Sequence, residues 1–520
     1  MRIVEQECAE HGLPASVLME NAGKAVAITI TEIKGKSQKN VIVLVGPGNN
    51  GGDGLVAGRY LHEYGDRVCI YLLRSRPSDD RNIALALERQ VEIIDNSRDP
   101  KLEQLEERLQ SADIVIDAVF GTGKSRKIDG DFARVLSEVS EIKTRRTGLT
   151  IFALDLPSGL DADTGAVDPV CLSADYTVTL GFPKPGLFNM PGAGKTGRVS
   201  IVDIGMPADL AADITPELIT VGWVRSVLPQ RSLTANKGTF GKVMILAGSQ
   251  NYIGAAYLAC SGAIRVGAGL VTLAIPESLQ PVLAAKLTEV TYLPLPESEK
   301  EVASSESAQL IKQAMKGYSV LLVGCGLGRS RGVRELVESL ILSDNRPGLP
   351  MVIDADGLNI MSDFKRREGF WHRLQDDVIL TPHPGEMSRL TGLDVDKIQA
   401  DRAGTTVDAA KEWNKIIVLK GAYTVIAAPD GRIMVSPFAN PGLASAGTGD
   451  VLAGIVTGLV AQGVSLFEAA VTGVYLHGKA GETVSNSLGD TGMIAGDLLP
   501  VLPEVIKRTK EIQTDRERGK

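Results

Sequence analysis

The residues with the clearest chemical signature form a glycine-rich segment over 440–450. This segment reads Asn440-Pro441-Gly442-Leu443-Ala444-Ser445-Ala446-Gly447-Thr448-Gly449-Asp450 and runs into an apolar stretch predicted to be a helix over 451–462. Backbone N–H groups of Gly447 to Asp450 at a helix start would bind a transferring phosphoryl group. Asp450 could then take a proton from the attacking hydroxyl. The plain alternative is an ordinary aspartate near a helix N-terminus, which the dipole favours by well under about 1 kcal/mol.

Three further loops follow predicted strands in the same half of the chain. They read Gly324-Cys325-Gly326-Leu327-Gly328, Thr381-Pro382-His383-Pro384-Gly385-Glu386-Met387 and Lys420-Gly421-Ala422-Tyr423-Thr424. Taken alone, His383 is more typical of a packed or helix-capping histidine than of a catalyst, and Gly326 would be a turn glycine. Their order along the chain supports a site built around Asp450.

The first half carries a different glycine loop over 46–54, Gly46-Pro47-Gly48-Asn49-Asn50-Gly51-Gly52-Asp53-Gly54, between a predicted strand and a helix. Such a turn exposes backbone N–H groups to phosphate. The loop matches neither Gly-x-Gly-x-x-Gly nor a Walker loop. A tight structural turn is the alternative.

Two carboxylates end later strands of this half. Asp117 is followed by a second glycine loop over 121–124, and Asp155 opens Asp-Leu-Pro-Ser-Gly over 155–159. Singly, each could be a loop-capping aspartate. Because ligands bind outside the carboxyl ends of parallel strands, the three loops can meet in one crevice. Asn50, Asp117 and Ser158 supply only hard oxygen ligands, which favour an alkali or alkaline-earth cation over zinc.

Short β-branched runs alternate with amphipathic stretches, which predicts α/β folding around largely parallel sheets. We expect strands over 41–45, 67–73, 91–95, 113–120, 150–154, 177–180 and 199–204, and then over 242–247, 270–275, 320–323, 351–353, 378–380 and 416–419. A hairpin over 425–428 and 433–435 follows. An apolar helix is expected over 13–34, and a frayed helix or tail over 507–520.

The alternation breaks over 205–231, where Pro207, Pro216 and Pro229 punctuate the chain. We therefore predict two domains, 1–217 and 218–520. The 520 residues are too many for one ordinary domain. The halves share no repeated sequence period, so we expect a fusion and not an internal duplication.

Composition excludes several classes of protein. A net charge of -8 and 4% aromatic residues argue against nucleic-acid binding. No apolar run is long enough for a membrane span or signal peptide. The five cysteines form no Cys-x-x-Cys pair, and the five histidines lack zinc spacing. We expect a cytoplasmic protein.

The first half resembles the NAD(P)H-hydrate epimerases, through Leu-Met-Glu-Asn-Ala-Gly over 18–23 and the motifs over 49–54, 117–123 and 155–159. That likeness implies a Rossmann-like three-layer domain, with Asp155 as the acid/base group at C6 of the hydrated nicotinamide. Potassium would be held by Asn50, Asp117 and Ser158. The dinucleotide would be held by Asn49, Asn50, Gly51, Gly52, Asp53, Gly121, Thr122, Gly123, Lys124, Ser125, Arg126, Lys127 and Asp155.

The second half resembles the ribokinase-like superfamily, and within it the ADP- or ATP-dependent NAD(P)H-hydrate dehydratases. Lys-Gly-Thr-Phe-Gly over 237–241, Tyr-Ile-Gly-Ala over 252–255, His-Pro-Gly-Glu and Gly-Thr-Gly-Asp carry this resemblance. The resemblance implies that Asp450 acts as the base. The nucleotide would lie at Lys420, Gly421, Ala422, Tyr423 and Thr424 and along Asn440 to Gly449. The hydrated cofactor would contact Ala255, Gly326, His383, Pro384, Gly385, Glu386, Met387, Ser388, Arg389 and Asp450.

Together the resemblances imply a bifunctional isomerase and lyase that repairs hydrated NADH and NADPH. One domain would equilibrate the R and S hydrates, and the other would dehydrate the S form while ADP becomes AMP and phosphate. The implied cofactors are potassium, ADP or ATP, and magnesium. We expect small-molecule substrates, no nucleic-acid or membrane partner, and a homo-oligomer of four or more copies. The alternatives are a vitamin or sugar kinase in the second half and a non-catalytic nucleotide-binding first domain.

Overall fold

Two units make up the chain in this computed structural model, Met1–Ile214 and Thr215–Lys520. The structure describes residues 2–123, 127–207, 210, 214–298, 301–302, 304–343, 348–365 and 369–511. The predicted positions Lys124, Ser125 and Arg126, and the tail beyond residue 511, lie outside these ranges.

A parallel sheet of seven strands forms the centre of the first unit, in the order β3-β2-β1-β4-β5-β6-β7. Its strands are β1 (Asn40–Val45), β2 (Arg67–Leu72), β3 (Glu92–Asp95), β4 (Ile114–Ala118), β5 (Thr150–Leu154), β6 (Tyr176–Leu180) and β7 (Arg198–Val202). The strand order reverses between β1 and β4. A crevice therefore opens at the carboxyl ends of these strands.

Helices cover both faces of this sheet. They are α1 (Arg2–Glu10), α2 (Ala15–Lys34), α3 (Asn49–Glu63), α4 (Arg81–Glu88), α5 (Glu103–Ser111) and α6 (Gly130–Arg145). Apolar residues of α1 to α4 pack on one face, and those of α5 and α6 on the other. The expected three-layer arrangement is confirmed.

The second unit is built on a ten-stranded sheet in the order β11-β10-β9-β14-β15-β16-β17-β18-β19-β8. Only the β17–β18 and β18–β19 pairs are antiparallel. The strands are β8 (Glu217–Leu218), β9 (Lys242–Leu246), β10 (Leu270–Pro276), β11 (Thr291–Leu295), β14 (Val320–Val323), β15 (Met351–Ile353), β16 (Val378–Leu380), β17 (Ile416–Leu419), β18 (Val425–Ala427) and β19 (Ile433–Val435), with β12 (Glu297–Ser298) and β13 (Glu301–Val302) as a separate pair.

Two apolar helix layers enclose this sheet. One contains α7 (Val221–Val227), α8 (Ile253–Val266), α9 (Gln280–Ala284), α17 (Thr448–Ala461), α18 (Leu466–Leu488) and α19 (Ala495–Glu511). The other contains α10 (Ser304–Ala314), α11 (Arg331–Ile341), α12 (Asp356–Phe364), α13 (Phe370–Arg373), α14 (Pro384–Thr391), α15 (Val395–Ala400) and α16 (Arg402–Trp413).

The predicted α/β class is confirmed, and every predicted strand is present within about three residues at each end. The sequence pattern missed β8, β11, β12 and β13. β11 forms a sheet edge, where its Thr291 and Pro294 interrupt an apolar run. The other three have two residues each, too few to show alternation.

Close helix packing in each unit depends on a glycine without a side chain. A Cβ on Gly23 of α2 would lie 2.4 Å from Val56 Cβ of α3. A Cβ on Gly454 of α17 would lie 2.1 Å from the Ala259 carbonyl oxygen of α8. Since these distances exclude any larger residue, the glycines fix how closely α2 meets α3 and α8 meets α17.

Two expectations from composition can be compared with the described residues. All five cysteines are buried. Among the described helices, none combines the length and apolarity that crossing a bilayer requires.

The independent folding of the two halves stays a prediction, and the structure refines where to cut. A division after residue 217 falls inside β8, whose Leu218 pairs with Val435 of β19. We expect fragments 1–214 and 215–520 to fold separately. Fragment 218–520 should melt a few degrees lower than 215–520, about 1–3 °C for each kcal/mol lost. Thermal circular dichroism checks this, and a molten 215–520 fragment would contradict it.

Two candidate active sites

The first candidate site is a cleft of about 780 Å³ at the carboxyl ends of β1, β4, β5 and β6. Its wall includes seven of the residues predicted to bind the dinucleotide, namely Asn49, Asn50, Asp53, Gly121, Thr122, Gly123 and Asp155. Gly51 and Gly52 instead allow close packing, because a Cβ would meet the Gly46 carbonyl oxygen at 2.0 Å and Met19 Cε at 2.6 Å. Lys127 is exposed.

The apolar wall of the cleft comes partly from α2, the helix that carries the 18–23 motif. Leu18, Met19 and Ala22 line the cleft. Glu20 accepts hydrogen bonds from Arg59 Nη2 at 2.6 and 2.7 Å, which ties α2 to α3. The motif therefore shapes the cleft and holds the glycine-loop helix in place.

Asp117 and Ser158 form a buried pair beneath this cleft. Both are fully buried, and Ser158 Oγ donates to Asp117 Oδ1 at 2.5 Å while Ser158 N donates to Oδ2 at 2.8 Å. Within the described ranges, no lysine or arginine forms an ion pair with Asp117. Burial accordingly raises the pKa of Asp117. A buried carboxylate in this position can be stabilised by a bound cation.

Asn50 is the third residue predicted to bind the cation. It lies in the first turn of α3, and a Cβ on Gly121 would be 3.3 Å from its Oδ1. Its Nδ2 is buried without a hydrogen-bond partner among the described residues. The Nδ2 group can therefore donate to a ligand, whereas a hard cation would be bound by Asn50 Oδ1 together with the carboxylate and hydroxyl oxygens.

Asp155 follows β5 with a left-handed backbone, at φ 68°. Its Oδ1 accepts from Lys184 Nζ at 2.5 Å, Leu180 N at 3.2 Å and Thr179 Oγ1 at 3.3 Å. These contacts hold the carboxylate at the end of β6, in the wall of the cleft. The sequence did not single out Lys184, because nothing local marks a lysine 29 residues from its partner.

The second candidate site lies at the N-terminus of α17, where Asp450 occupies the first turn. The preceding Gly447 has φ 89°, which a side chain would strain. Thr448 Oγ1 donates to the Leu443 carbonyl at 2.7 Å and so fastens the glycine loop to the helix start. The first-turn N–H groups have no partner within the helix, so they can bind an anion.

A lysine faces this helix start. Lys420 Nζ donates to Asp354 Oδ1 at 2.6 Å, and its distance to Glu386 Oε2 is 3.9 Å. A Cβ on Gly449 would lie 3.3 Å from Lys420 Nζ, which places the ammonium group beside the predicted anion hole. The helix terminus and the lysine together favour a phosphoryl group there.

The carboxylates around Lys420 have altered acidity. Burial, with a contribution from the Asp354 charge, raises the pKa of Asp450 to about 6. One carboxylate oxygen of Asp450, one of Asp354 and the Cys325 Sγ atom lie within 4.8 Å of one another. Burial also raises the pKa of Glu386 to about 7. Asp450 is therefore poised to exchange a proton near neutral pH.

His383 is the N-cap of α14. Its Nδ1 accepts from Gly385 N at 3.0 Å, and its backbone N–H donates to Glu386 Oε2 at 2.8 Å. Burial and the neighbouring Lys420 lower the pKa of His383. The structure gives it the capping role that a lone histidine often has. It also places Glu386 beside Lys420.

The remaining predicted residues lie on the loops after β14, β17 and β19, in the first turn of α8 and in α14. Gly326 follows β14, and its Cβ would be 2.7 Å from Ala255 Cβ in the first turn of α8. The loop over 420–424 follows β17, and Thr424 Oγ1 donates to the Gly421 carbonyl at 2.9 Å. Within the loop over 440–449, Asn440 accepts from Gly442 N at 2.9 Å.

Sequence reasoning missed two residues of this site. Asp354 directly follows β15, so the rule applied to Asp117 and Asp155 would have found it. His477 comes from α18, and its Nε2 lies 2.9 Å from the Thr448 carbonyl oxygen. No local pattern marks it within an apolar helix. Burial lowers the pKa of His477 to about 4, so it is a neutral donor at physiological pH.

Family models match both halves of the chain. The model described as NAD(P)H-hydrate dehydratase matches residues 243–504, and the model described as YjeF-related protein N-terminus matches residues 15–186. These ranges contain Asp450 and Asp155, respectively.

Curated relatives are similar over nearly the whole length. A bifunctional NAD(P)H-hydrate repair enzyme of Moorella thermoacetica is 40% identical, over 97% of this chain and 94% of its own. One of Thermofilum pendens is 35% identical, over 98% and 96%. A solved ADP/ATP-dependent NAD(P)H-hydrate dehydratase of Bacillus subtilis, co-crystallised with ATP and Mg²⁺, is 33% identical over 56% of this chain and 98% of its own, with a TM-score of 0.48.

Proposed function

This chain belongs to the family of bifunctional NAD(P)H-hydrate repair enzymes, and we propose which of its residues carry the two activities. The enzyme interconverts the R and S forms of NADH and NADPH hydrated at C6, and it dehydrates the S form with ADP. The observation that carries our assignment is the placement of one carboxylate in each unit, Asp155 buried in the wall of the cleft and Asp450 partly buried at the anion hole.

In the first unit, Asp155 is the proposed acid/base group for epimerisation. Its Oδ1 is held by three donors, whereas Oδ2 accepts no hydrogen bond from the described residues. The cleft of about 780 Å³ suits a nucleotide-sized ligand. The N-terminus of α3, which begins at Asn49, would favour the pyrophosphate.

Asn50, Asp117 and Ser158 form the proposed potassium site. The support is a fully buried carboxylate without a cationic partner in the described part of the chain, together with the oxygen atoms that all three side chains offer, which suit a hard cation. When bound, potassium would neutralise the carboxylate and offset phosphate charge nearby. The protein residues themselves hold the loops after β4 and β5 together through the Ser158–Asp117 hydrogen bonds.

In the second unit, Asp450 is the proposed base. It would take the proton of the C6 hydroxyl as that oxygen attacks the terminal phosphorus of ADP, which releases AMP. Phosphate then leaves C6 as C5 loses a proton, so NADH forms. Lys420 and the first-turn N–H groups of α17 would stabilise charge on the transferring group. Magnesium would accompany the nucleotide through its phosphate oxygens.

The nucleotide is proposed to lie along the loops over 420–424 and 440–449, with the hydrated cofactor near Ala255 and Gly326. These loops lie near the start of α17. A Cβ at position 326 would lie 2.7 Å from Ala255 Cβ, so only glycine fits beside Ala255.

Cytoplasmic location and assembly into four or more copies stay predictions.

Single substitutions should separate the two activities. Asp450→Asn should lose ADP-dependent repair about a hundredfold, because the base beside the anion hole is gone, while R and S hydrates still interconvert. Asp155→Asn should do the reverse, so a mixed substrate shows a rapid phase and then only slow spontaneous epimerisation. Recovery of NADH absorbance measures both.

Either of two results would overturn these roles. One is full repair by Asp450→Asn, and the other is prompt consumption of both epimers by Asp155→Asn. The exposed Asp163 provides the control, since Asp163→Asn makes the same change of charge outside both sites.

The dehydration should slow in acid. The pKa of Asp450 is raised to about 6, so this base gains a proton as pH falls through that value, and kcat/KM for the S hydrate should drop. The terminal phosphate of ADP titrates near a similar pH, about 6. Asp450→Asn distinguishes the two, because a limb that belongs to Asp450 disappears from its residual activity and one that belongs to ADP remains.

Epimerisation should depend on potassium through Asp117. Replacing potassium by tetramethylammonium should lower the wild-type epimerase rate at least about tenfold and lower its melting temperature. Asp117→Asn should have a low rate in both salts and a melting temperature that no longer responds. A wild-type rate that is equal in the two salts would refute the cation site.

A further inference from the structure

Lys184, which the sequence did not mark as functional, ends in the first cleft. It follows β6 within Phe182-Pro183-Lys184-Pro185 and is only 3% exposed, although its side chain contributes to the wall of the cleft. A lysine buried to this degree is rare unless its charge is paired. Asp155 is the partner, with Nζ 2.5 Å from Oδ1.

The hydrogen bonds of Lys184 use all three ammonium donors. Nζ donates to Asp155 Oδ1 at 2.5 Å, to the Leu180 carbonyl at 2.8 Å and to Thr179 Oγ1 at 3.2 Å. A protonated lysine has three donors and no acceptor. Lys184 therefore has no donor left for a ligand, and its effect on a bound molecule must pass through Asp155.

The carboxylate of Asp155 is held asymmetrically. Lys184, Leu180 N and Thr179 Oγ1 all donate to Oδ1, and Oδ2 accepts nothing from the residues that the structure describes. The backbone is also fixed, because Asp155 has φ 68° and its N–H donates to the Val178 carbonyl at 2.8 Å. One oxygen is anchored and the other is left for the reacting group.

We propose that Lys184 is the positioning residue of the epimerase site, which anchors Oδ1 of Asp155 so that Oδ2 is presented, ionised, to the hydrated ring. The proposal rests on the proposed role of Asp155. An ammonium group at 2.5 Å stabilises the charged carboxylate, and three fixed contacts remove its rotational freedom. Preorganisation of this kind acts on the rate of the chemical step more than on binding.

Thr179 offers a matched control in the same contact. It is fully buried, and its Oγ1 donates to the same oxygen of Asp155 at the longer distance of 3.3 Å. Thr179→Val keeps the shape and removes two hydrogen bonds of the hydroxyl, the one to Asp155 Oδ1 and the one from Lys184 Nζ, but no charge. If the lysine charge matters, Lys184→Met and Thr179→Val should differ greatly.

The experiment measures epimerisation by the full chain without ADP, starting from the R hydrate of NADH and separating the epimers chromatographically. We expect Lys184→Met to lower kcat by about thirtyfold or more while KM stays within about threefold. Thr179→Val should lower kcat less than Lys184→Met does, because it removes neutral hydrogen bonds and leaves the ammonium charge in place. In the Asp155→Asn background, Lys184→Met should cause no further loss, because its effect passes through the carboxylate.

The ADP-dependent dehydration of the S hydrate by the same variants reports whether the chain is intact, since it uses the other unit. Removing one partner of a buried ion pair can destabilise a fold. Lys184→Gln is therefore made in parallel, and epimerase kcat is measured in whichever variant has the wild-type circular dichroism spectrum. If neither folds, kcat is measured in Lys184→Arg, because a planar guanidinium cannot reproduce three tetrahedral contacts.

The outcomes separate this proposal from the proposed function. Wild-type kcat in the folded Lys184 variant, with activity lost in Asp155→Asn, would overturn the role of Lys184 alone. Wild-type kcat in Asp155→Asn would overturn the assignment of Asp155 and this proposal with it. A loss in Lys184→Met that adds fully to that of Asp155→Asn would show that the lysine acts independently of the carboxylate.

Discussion

A carboxylate buried at the end of a parallel strand is stabilised by a positive partner, and a lysine provides it for one such carboxylate in each unit. Lys184 contacts Asp155 at 2.5 Å in the first unit, and Lys420 contacts Asp354 at 2.6 Å in the second. Removing either lysine would leave an uncompensated buried charge. The two pairs allow acidic side chains to remain inside water-poor sites, where they are effective as acids, bases and orienting groups.

The pairs serve different purposes because of what surrounds them. Lys184 uses every donor on Asp155 and its neighbours, so its effect on the cleft passes through the carboxylate of Asp155, the proposed reacting group. Lys420 lies against the start of α17, where burial and, after it, the charge of its partner Asp354 raise the pKa of Asp450. In the first unit the partner of the lysine is the proposed reacting group. In the second, the lysine and its partner adjust a third group.

Much of this arrangement could be predicted from the sequence. Strand ends predicted that Asp117 and Asp155 lie at one sheet edge, because parallel strands bring the loops that follow them to the same side. The glycine loop before an apolar stretch predicted that Asp450 lies at the start of a helix, which is α17. The strand-end rule also reaches Asp354, which was overlooked. Lys184 and His477 could not be found this way, since their contacts join segments far apart in sequence and depend on packing. Only the structure could show that Asp117, in the proposed cation site, has no ion-pair partner in the described ranges.

The central claim is that one chain converts both epimers to NADH and uses one ADP, which becomes AMP and phosphate, for each molecule. The most direct test incubates the full-length protein with a mixture of R and S NADH hydrate and limiting ADP, and counts products. The account predicts equal amounts of NADH, AMP and inorganic phosphate, with both epimers consumed. AMP formed without inorganic phosphate, with the phosphoryl group retained on the hydrate, would contradict it and indicate a kinase.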